Sequence, residues 1–179
     1  TVGSTELDTE RRRRWSDPLL RAGDPATPMD GTLDGPVLDD HMHLDPVNGC
    51  GVEAAADFAD AGGTHLLVVN KPSWSLLDSL PSDAGDFREV FEITVDVVSE
   101  ATDVLDGRAW PVLGVHPALI SQLVEAGYDP EGARNLMQAG LDEAADLVAD
   151  GPALALKSGR PHYDVDDAVW DASNAVMTH

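Results

Sequence analysis

The sequence predicts a parallel α/β fold, specifically a (β/α)8 barrel of which about the first four strand–helix units are present. From residue 35 onward, short apolar runs alternate with longer segments whose apolar residues recur at helical spacing. The short runs are almost continuously apolar, which is typical of parallel strands covered on both faces. Polar side chains follow each run, and (β/α)8 barrels carry their chemistry at the carboxyl ends of their strands. No GxGxxG pattern follows the first run, which disfavours a dinucleotide-binding sheet.

The first two units are assigned from their apolar runs and from the glycines between them. Residues 36–40 are predicted to be a buried strand, and residues 51–61 a helix that two glycines end. Residues 65–70 form the second predicted strand, since four apolar residues follow one another there. A long loop over 70–82 leads to a helix over 86–105, which has a continuous apolar stripe.

The last two units follow the same alternation. Residues 109–115 are the third predicted strand, and Pro111 within it indicates that its early residues are not fully paired. Residues 152–157 are the fourth predicted strand. Further helices are predicted over 117–126, 130–150 and 166–179.

The first 34 residues differ in composition from the rest. They are polar and rich in Thr, Asp, Gly and Pro, which predicts a disordered or loosely attached extension over 1–34 before a barrel domain over 35–179. Met29 is an alternative start of the chain. Because only four units are present, we expect the 179 residues to be the N-terminal part of a longer protein.

The chain is strongly acidic, with 33 acidic and 11 basic residues and a net charge of -22. High salt would screen the resulting self-repulsion. The aspartate excess and the scarcity of lysine resemble proteins of salt-accumulating archaea. The acidity argues against capture of nucleic acid by the surface as a whole, and the 42% of hydrophobic residues excludes a disordered acidic protein.

The remaining composition predicts a cytoplasmic protein without a membrane partner. The single cysteine, Cys50, excludes an internal disulfide, and we expect it to be a small buried residue, not a nucleophile. No run approaches the roughly 20 apolar residues that span a bilayer. The N-terminal segment also lacks the hydrophobic core of a secretion signal.

Two histidines one residue apart, His41 and His43, follow the first predicted strand. Side chains at positions i and i+2 of an extended chain point to the same side, so both rings can face one metal ion. The alternative is a polar loop that holds two histidines without binding a metal.

Polar residues after the third and fourth strands are further candidates. His116 precedes a proline, which holds it extended and aims it at the barrel mouth; the alternative is a packing or capping role. Arg160 is suited to bind a phosphate or carboxylate through its guanidinium, and His162 lies in the same loop. Lys157 ends an apolar strand. Its amine either contacts substrate, pairs with a carboxylate such as Asp39 or Asp40, or reacts with carbon dioxide to form a carbamate that bridges two metals.

These motifs resemble the archaeal branch of the TatD-type metal-dependent hydrolases, which belong to the amidohydrolase superfamily of TIM barrels. The resemblance rests on three segments, Asp39–Asp45, Gly114–Pro117 and Gly159–Tyr163, and extends over about 36–179. The resemblance implies a deoxyribonuclease that uses two divalent ions, such as zinc, manganese or magnesium. By position, His41 and His43 match metal ligands, and His116 matches a substrate-facing histidine.

The sequence departs from the family's pattern at two places. Lys157 stands where the family has a bridging glutamate, which implies either a lost ligand or a carbamylated lysine of the phosphotriesterase type. The family's later histidines and its C-terminal aspartate have no counterpart before residue 179.

The predicted function is therefore metal-dependent hydrolysis, with DNA as the first substrate. Lys157 and His116 are the predicted catalytic groups, His41, His43 and Lys157 the metal ligands, and Arg160 and His162 the substrate-binding groups. The alternatives are a small-molecule amidohydrolase with a carbamylated lysine, and a non-catalytic half-barrel that binds a partner through its exposed edge.

Overall fold

The computed structural model describes residues 35–179, which form four parallel strands and five α-helices. The strands are β1 (Leu38–Met42), β2 (His65–Val69), β3 (Ala109–Leu113) and β4 (Ala155–Leu156). The helices are α1 (Glu53–Asp60), α2 (Ala84–Val104), α3 (Leu119–Glu125), α4 (Pro130–Ala149) and α5 (Asp167–Met177), and a 3-10 turn covers Ser73–Ser75. The sheet order β1-β2-β3-β4 is sequential and every pair is parallel. The predicted α/β class is confirmed, and the order is consistent with a TIM barrel.

The two longest helices begin at aspartates that the sequence places at their first turns. The side chain of Asp83 accepts hydrogen bonds from the backbone N–H groups of Gly85 and Asp86 at the start of α2. Asp129 accepts one from Gly132 at the start of α4, where Pro130 occupies the first helical position. Both caps satisfy amides that a helix start otherwise leaves unpaired.

The helices cover the sheet face that carries Leu66, Val68 and Leu113. Leu66 and Val68 pack with residues of α1 and α2, such as Ala55 and Val98. Leu113 belongs to a second cluster that joins α2, α3, α4 and α5. This layer positions the strand ends relative to one another.

The opposite sheet face is apolar and open. It holds a cavity of about 520 Å³, lined by Pro36, Leu38, His65, Leu67, Trp110 and Leu154. Leu38 is 54% exposed and Leu154 51% exposed. The prediction that the first strand is buried is therefore wrong, because β1 is one of the two edge strands among the described residues and no described residue covers its open face. In a closed barrel, layers of side chains from other strands fill this face.

Two further expectations need correction, and two lie outside the described residues. Cys50 is exposed, since it lies in the turn after β1 and not in the core. The fourth strand is shorter than the predicted 152–157, because only Ala155 and Leu156 pair with β3. The proposed extension over 1–34 and the alternative start at Met29 lie outside the described residues. Within residues 35–179, no helix is long and apolar enough to cross a membrane.

Candidate metal centre

A β-bulge in β1 determines where the histidine pair points. Asp39 pairs with Leu66 and Met42 with Val68, so β1 has one residue more than β2 in this interval. Leu38 therefore faces the open side of the sheet, whereas Met42 packs on the helix side. His41 and His43 flank Met42 and point to the open side together. Their ring centroids lie 5.1 Å apart in an edge-to-face arrangement, and bulges commonly re-aim side chains beside active sites.

The carbonyl at the end of β2 sets the tautomer of His43. The Nδ1 atom of His43 lies 2.7 Å from the Val69 carbonyl oxygen. Because a carbonyl oxygen can only accept, Nδ1 carries the proton and donates this hydrogen bond. The Nε2 atom then keeps its lone pair, which is the form that binds a metal. Burial lowers the pKa of His43, and the charges of Lys157 and Lys71 lower it further despite the Val69 bond. The net effect favours the neutral ring.

His41 lies against Lys157, which reaches it from β4. The Lys157 Nζ atom is 3.3 Å from the His41 Nε2 atom. Burial lowers the pKa of the Lys157 amine. Within residues 35–179 the amine forms no ion pair, and the carboxylate of Asp39 instead accepts a hydrogen bond from the backbone N–H of His41. The Lys157 amine is therefore close to His41, and it loses its charge more easily than the amine of an exposed lysine.

His116 presents a hydrogen-bond donor to the same region. Its Nδ1 accepts the backbone N–H of Ala118 at 3.2 Å, so in the neutral ring the proton resides on Nε2. The ring packs edge to face on Trp74, with centroids 5.2 Å apart. Burial lowers the pKa of His116, with smaller effects from Lys157, His43 and His162. A neutral Nε2–H donor is suited to a substrate oxygen and not to a metal ion.

Arg160 and His162 occupy the loop after β4 and contact the protein itself. The Arg160 guanidinium donates to the Asn174 side chain at 3.1 Å and lies 5.6 Å from the centroid of the Trp170 ring. It is therefore held against α5. His162 packs edge to face on Tyr163, at 5.4 Å between centroids. The structure brings His162 within electrostatic range of His116, whereas Arg160 has its partners on α5.

Four residues that sequence reasoning did not assign to the site also lie at the strand ends. Asp45 accepts backbone N–H bonds from the turn that follows the histidine pair, and its other oxygen lies 3.5 Å from the Lys71 amine. These hydrogen bonds, and then Lys71, hold the pKa of Asp45 below its usual range. Trp74 packs on His116, and Asn70 bonds to Gly114. Asn70 directly follows the apolar strand β2, and Asp45 lies two residues after His43, and these positions were the signal available in the sequence.

The described residues bring together two candidate metal ligands. His41 and His43 provide two imidazoles on one side of β1, and the His43 tautomer is the one a metal requires. Residues 35–179 contain no group of three or more His, Cys, Asp or Glu side chains arranged to hold a metal ion. The pair therefore fits a divalent ion as two of its ligands, and further ligands must come from elsewhere or from a modified Lys157.

Comparison with known proteins gives one family and one similar relative. The family model described as TatD related DNase matches residues 38–179. An uncharacterized protein, MJ1127 of Methanocaldococcus jannaschii, is 31% identical over 154 residues, which are 84% of this chain and 51% of that protein. The chain thus spans about half the length of the curated relative it matches. No solved structure matches.

Proposed function

Because the chain belongs to the TatD-related DNase family, we propose that it forms part of a metal-dependent hydrolase that cleaves phosphodiester bonds, with DNA as its substrate. The observation that supports an anionic substrate is the position of the lysines. In a chain of net charge -22 there are only two, Lys71 and Lys157. The Lys157 amine lies 3.3 Å from His41 and the Lys71 amine 3.5 Å from Asp45, which follows the histidine pair, so both lysines lie at the same strand ends.

Three of the other four basic groups of the described residues are neutralised elsewhere, and the fourth, Arg160, contacts Asn174 and Trp170. Arg88 pairs with Glu92 and Glu143, and Arg108 and Arg134 pair with acidic neighbours near their own positions. Lys71 lies 3.5 Å from Asp45, so among residues 35–179 a polyanion would find positive charge without a carboxylate partner at Lys157 and at Arg160 in the loop after β4. This localisation is consistent with a protein whose acidic surface repels nucleic acid elsewhere.

The geometry of each side chain at the site suits a particular chemical role. His41 and His43 would hold one divalent ion through their Nε2 atoms. When bound, the ion would lower the pKa of a water molecule and polarise the scissile bond. The His116 Nε2–H would donate to a non-bridging oxygen of the substrate, and the Lys157 amine would lie beside the ligand His41. Arg160 would contribute only after leaving Asn174.

A second candidate function rests on Lys157. Its pKa is lowered by burial and it has no carboxylate partner within residues 35–179, so its amine loses a proton more readily than that of an exposed lysine. Such an amine adds to carbon dioxide with loss of one proton, and the carbamate oxygens can bridge two ions. The protein would then be a small-molecule amidohydrolase or phosphotriesterase-like enzyme.

The first test is metal content by elemental mass spectrometry. The sample is the natural polypeptide that contains these 179 residues, purified in molar potassium chloride, beside its His41→Ala/His43→Ala variant. The matched control is His179→Ala, because His179 bonds to Asp142 of α4 and not to the strand ends. We expect one to two divalent ions per chain in the wild type and control, and loss in the double variant with unchanged far-UV dichroism.

The substrates are then tested in order, with phosphodiesters before amides and esters. No metal in any of the three proteins after reloading with zinc and manganese would contradict the hydrolase proposal. That outcome would favour a non-catalytic protein that binds a partner at the open, apolar face of the sheet.

A further inference from the structure

The side chain of Asn70 joins the carboxyl ends of two neighbouring strands. Its Oδ1 accepts the backbone N–H of Gly114 at 2.8 Å, and its Nδ2 donates to the Gly114 carbonyl oxygen at 3.0 Å. The second Nδ2 hydrogen is directed to the Lys71 carbonyl oxygen at 2.9 Å. Asn70 is only 7% exposed. Both donors and the acceptor of its amide are therefore satisfied by backbone groups.

We call these three hydrogen bonds the Asn70 clamp. Both strand ends that it joins continue directly to side chains of the candidate site. Val69, which precedes Asn70, supplies the carbonyl that orients His43. Gly114 lies two residues before His116 in the chain. On the side toward β4, Gly114 packs so closely on the backbone of Lys157 that a Cβ atom there would lie 2.8 Å from the Lys157 carbonyl carbon.

From this geometry we propose that Asn70 is a positioning residue that sets the spacing of His43, His116 and Lys157. Its effect on catalysis rests on the proposed function, whereas its effect on the geometry does not. Neither the family match nor the histidine motif assigns Asn70 a role. The last backbone hydrogen bond between the two strands runs from the Asn70 N–H to the Val112 carbonyl oxygen at 3.2 Å, and the Asn70 side chain extends the connection beyond it to Gly114.

The chemistry of the clamp requires an amide. An aspartate has the same size and keeps the acceptor for the Gly114 N–H, but its second oxygen would face two carbonyl oxygens at about 3 Å. An alanine would leave three backbone groups without this partner, two of them, the N–H and C=O of Gly114, buried. Both changes should let the strand ends separate, and Asn70→Asp should do so without creating a cavity.

The first measurement needs no activity. Nuclear magnetic resonance of the histidine rings and of the Gly114 amide compares wild type, Asn70→Asp and Asn70→Ala. Thr94→Val is the matched control, because it removes another buried side-chain hydrogen bond, from Thr94 to the Val90 carbonyl within α2. We expect the Asn70 variants to shift the His116 ring resonances and to speed Gly114 amide exchange about tenfold or more. The Thr94 variant should change neither.

The second measurement uses turnover by the metal-loaded natural polypeptide far below its Tm. We expect kcat to fall about tenfold to a hundredfold in the Asn70 variants, with KM and metal content nearly unchanged, because misplacement acts on the reacting geometry. A merely structural residue would lower Tm, as Thr94→Val should, and leave kcat of the folded protein intact.

The outcomes separate this proposal from the function itself. Unchanged His116 resonances in folded Asn70 variants, or unchanged kcat in an active enzyme, would overturn the positioning role. A wild type that hydrolyses nothing would refute only the proposed function, since the resonance measurement still decides the role of Asn70. If neither variant folds, hydrogen exchange of the Asn70 side-chain amide in the wild type decides: protection supports the clamp, and exchange at the free rate refutes it.

Discussion

Replacement of Gly114 by alanine tests how closely β3 and β4 approach at the site. A Cβ atom at this position would meet the carbonyl oxygen of Lys157, and would lie 2.8 Å from its carbonyl carbon and 3.2 Å from its nitrogen. These atoms are backbone, so they cannot rotate away as the end of a flexible side chain can. The Lys157 N–H also donates a 2.7 Å hydrogen bond to the Leu113 carbonyl, which joins the two strands. Alanine at 114 must therefore push β4 away from β3.

The expected loss of stability has two parts. Overpacking of a tight contact costs about 1–3 kcal/mol, and a weakened backbone hydrogen bond adds about 0.5–1.5 kcal/mol. The free energy of unfolding should fall by about 1.5–4.5 kcal/mol. For a domain of this size that corresponds to a decrease in Tm of about 3–18 °C.

Urea unfolding followed by circular dichroism measures this change. Gly151→Ala is the matched control, because the nearest atom to its new Cβ, the Leu147 carbonyl oxygen, is 3.6 Å away. The control should stay within about 0.5 kcal/mol of wild type. A Gly114→Ala protein as stable as the control would refute the close approach of β3 and β4, and with it the placement of Lys157 beside His41.

Two further predictions concern the titratable groups of the site. Lys157→Ala should abolish hydrolysis. If Lys157 is carbamylated in the wild type, short-chain carboxylates should restore hydrolysis by Lys157→Ala and should not restore it in Lys71→Ala. A lack of rescue, with no carbon dioxide mass increment on the intact protein, would count against the carbamate. Because the pKa of His116 is lowered in the folded state, its stabilising effect is complete above about pH 6.5 and is lost as pH falls through the folded pKa. Urea unfolding at pH 7.5 and 5.5 should therefore show a smaller loss of stability in His116→Gln than in wild type, and equal losses would contradict this assignment.

Much of the fold follows from local patterns in the sequence. Unbroken apolar runs predict the second and third strands, and the helical stripe over 86–105 predicts α2, because each pattern depends only on residues close in sequence. The expectation of a buried first strand failed for Leu38, since an apolar run does not show which strand will lie at the edge of the sheet.

The candidate site is only partly predictable in the same way. The sequence places His41, His43, His116 and Lys157 after strands, and the structure brings their side chains to the same strand ends; their roles in metal binding and catalysis stay predictions. Arg160 also follows a strand, yet its guanidinium bonds to Asn174 of α5. The position of a residue after a strand therefore does not determine where its side chain points.

The sequence by itself determined the order of strands and helices and the residue types at the strand ends. Hydrophobic periodicity and the glycines and prolines that end each element act over only a few residues. The tertiary structure alone decided which atoms meet: His43 with Val69, Asn70 with Gly114, and Lys157 with His41 across 116 positions of the chain. These contacts depend on strand register, on the extra residue in β1 and on the lateral spacing of parallel strands. Register and spacing result from packing the whole sheet against its helices, and no local pattern encodes them.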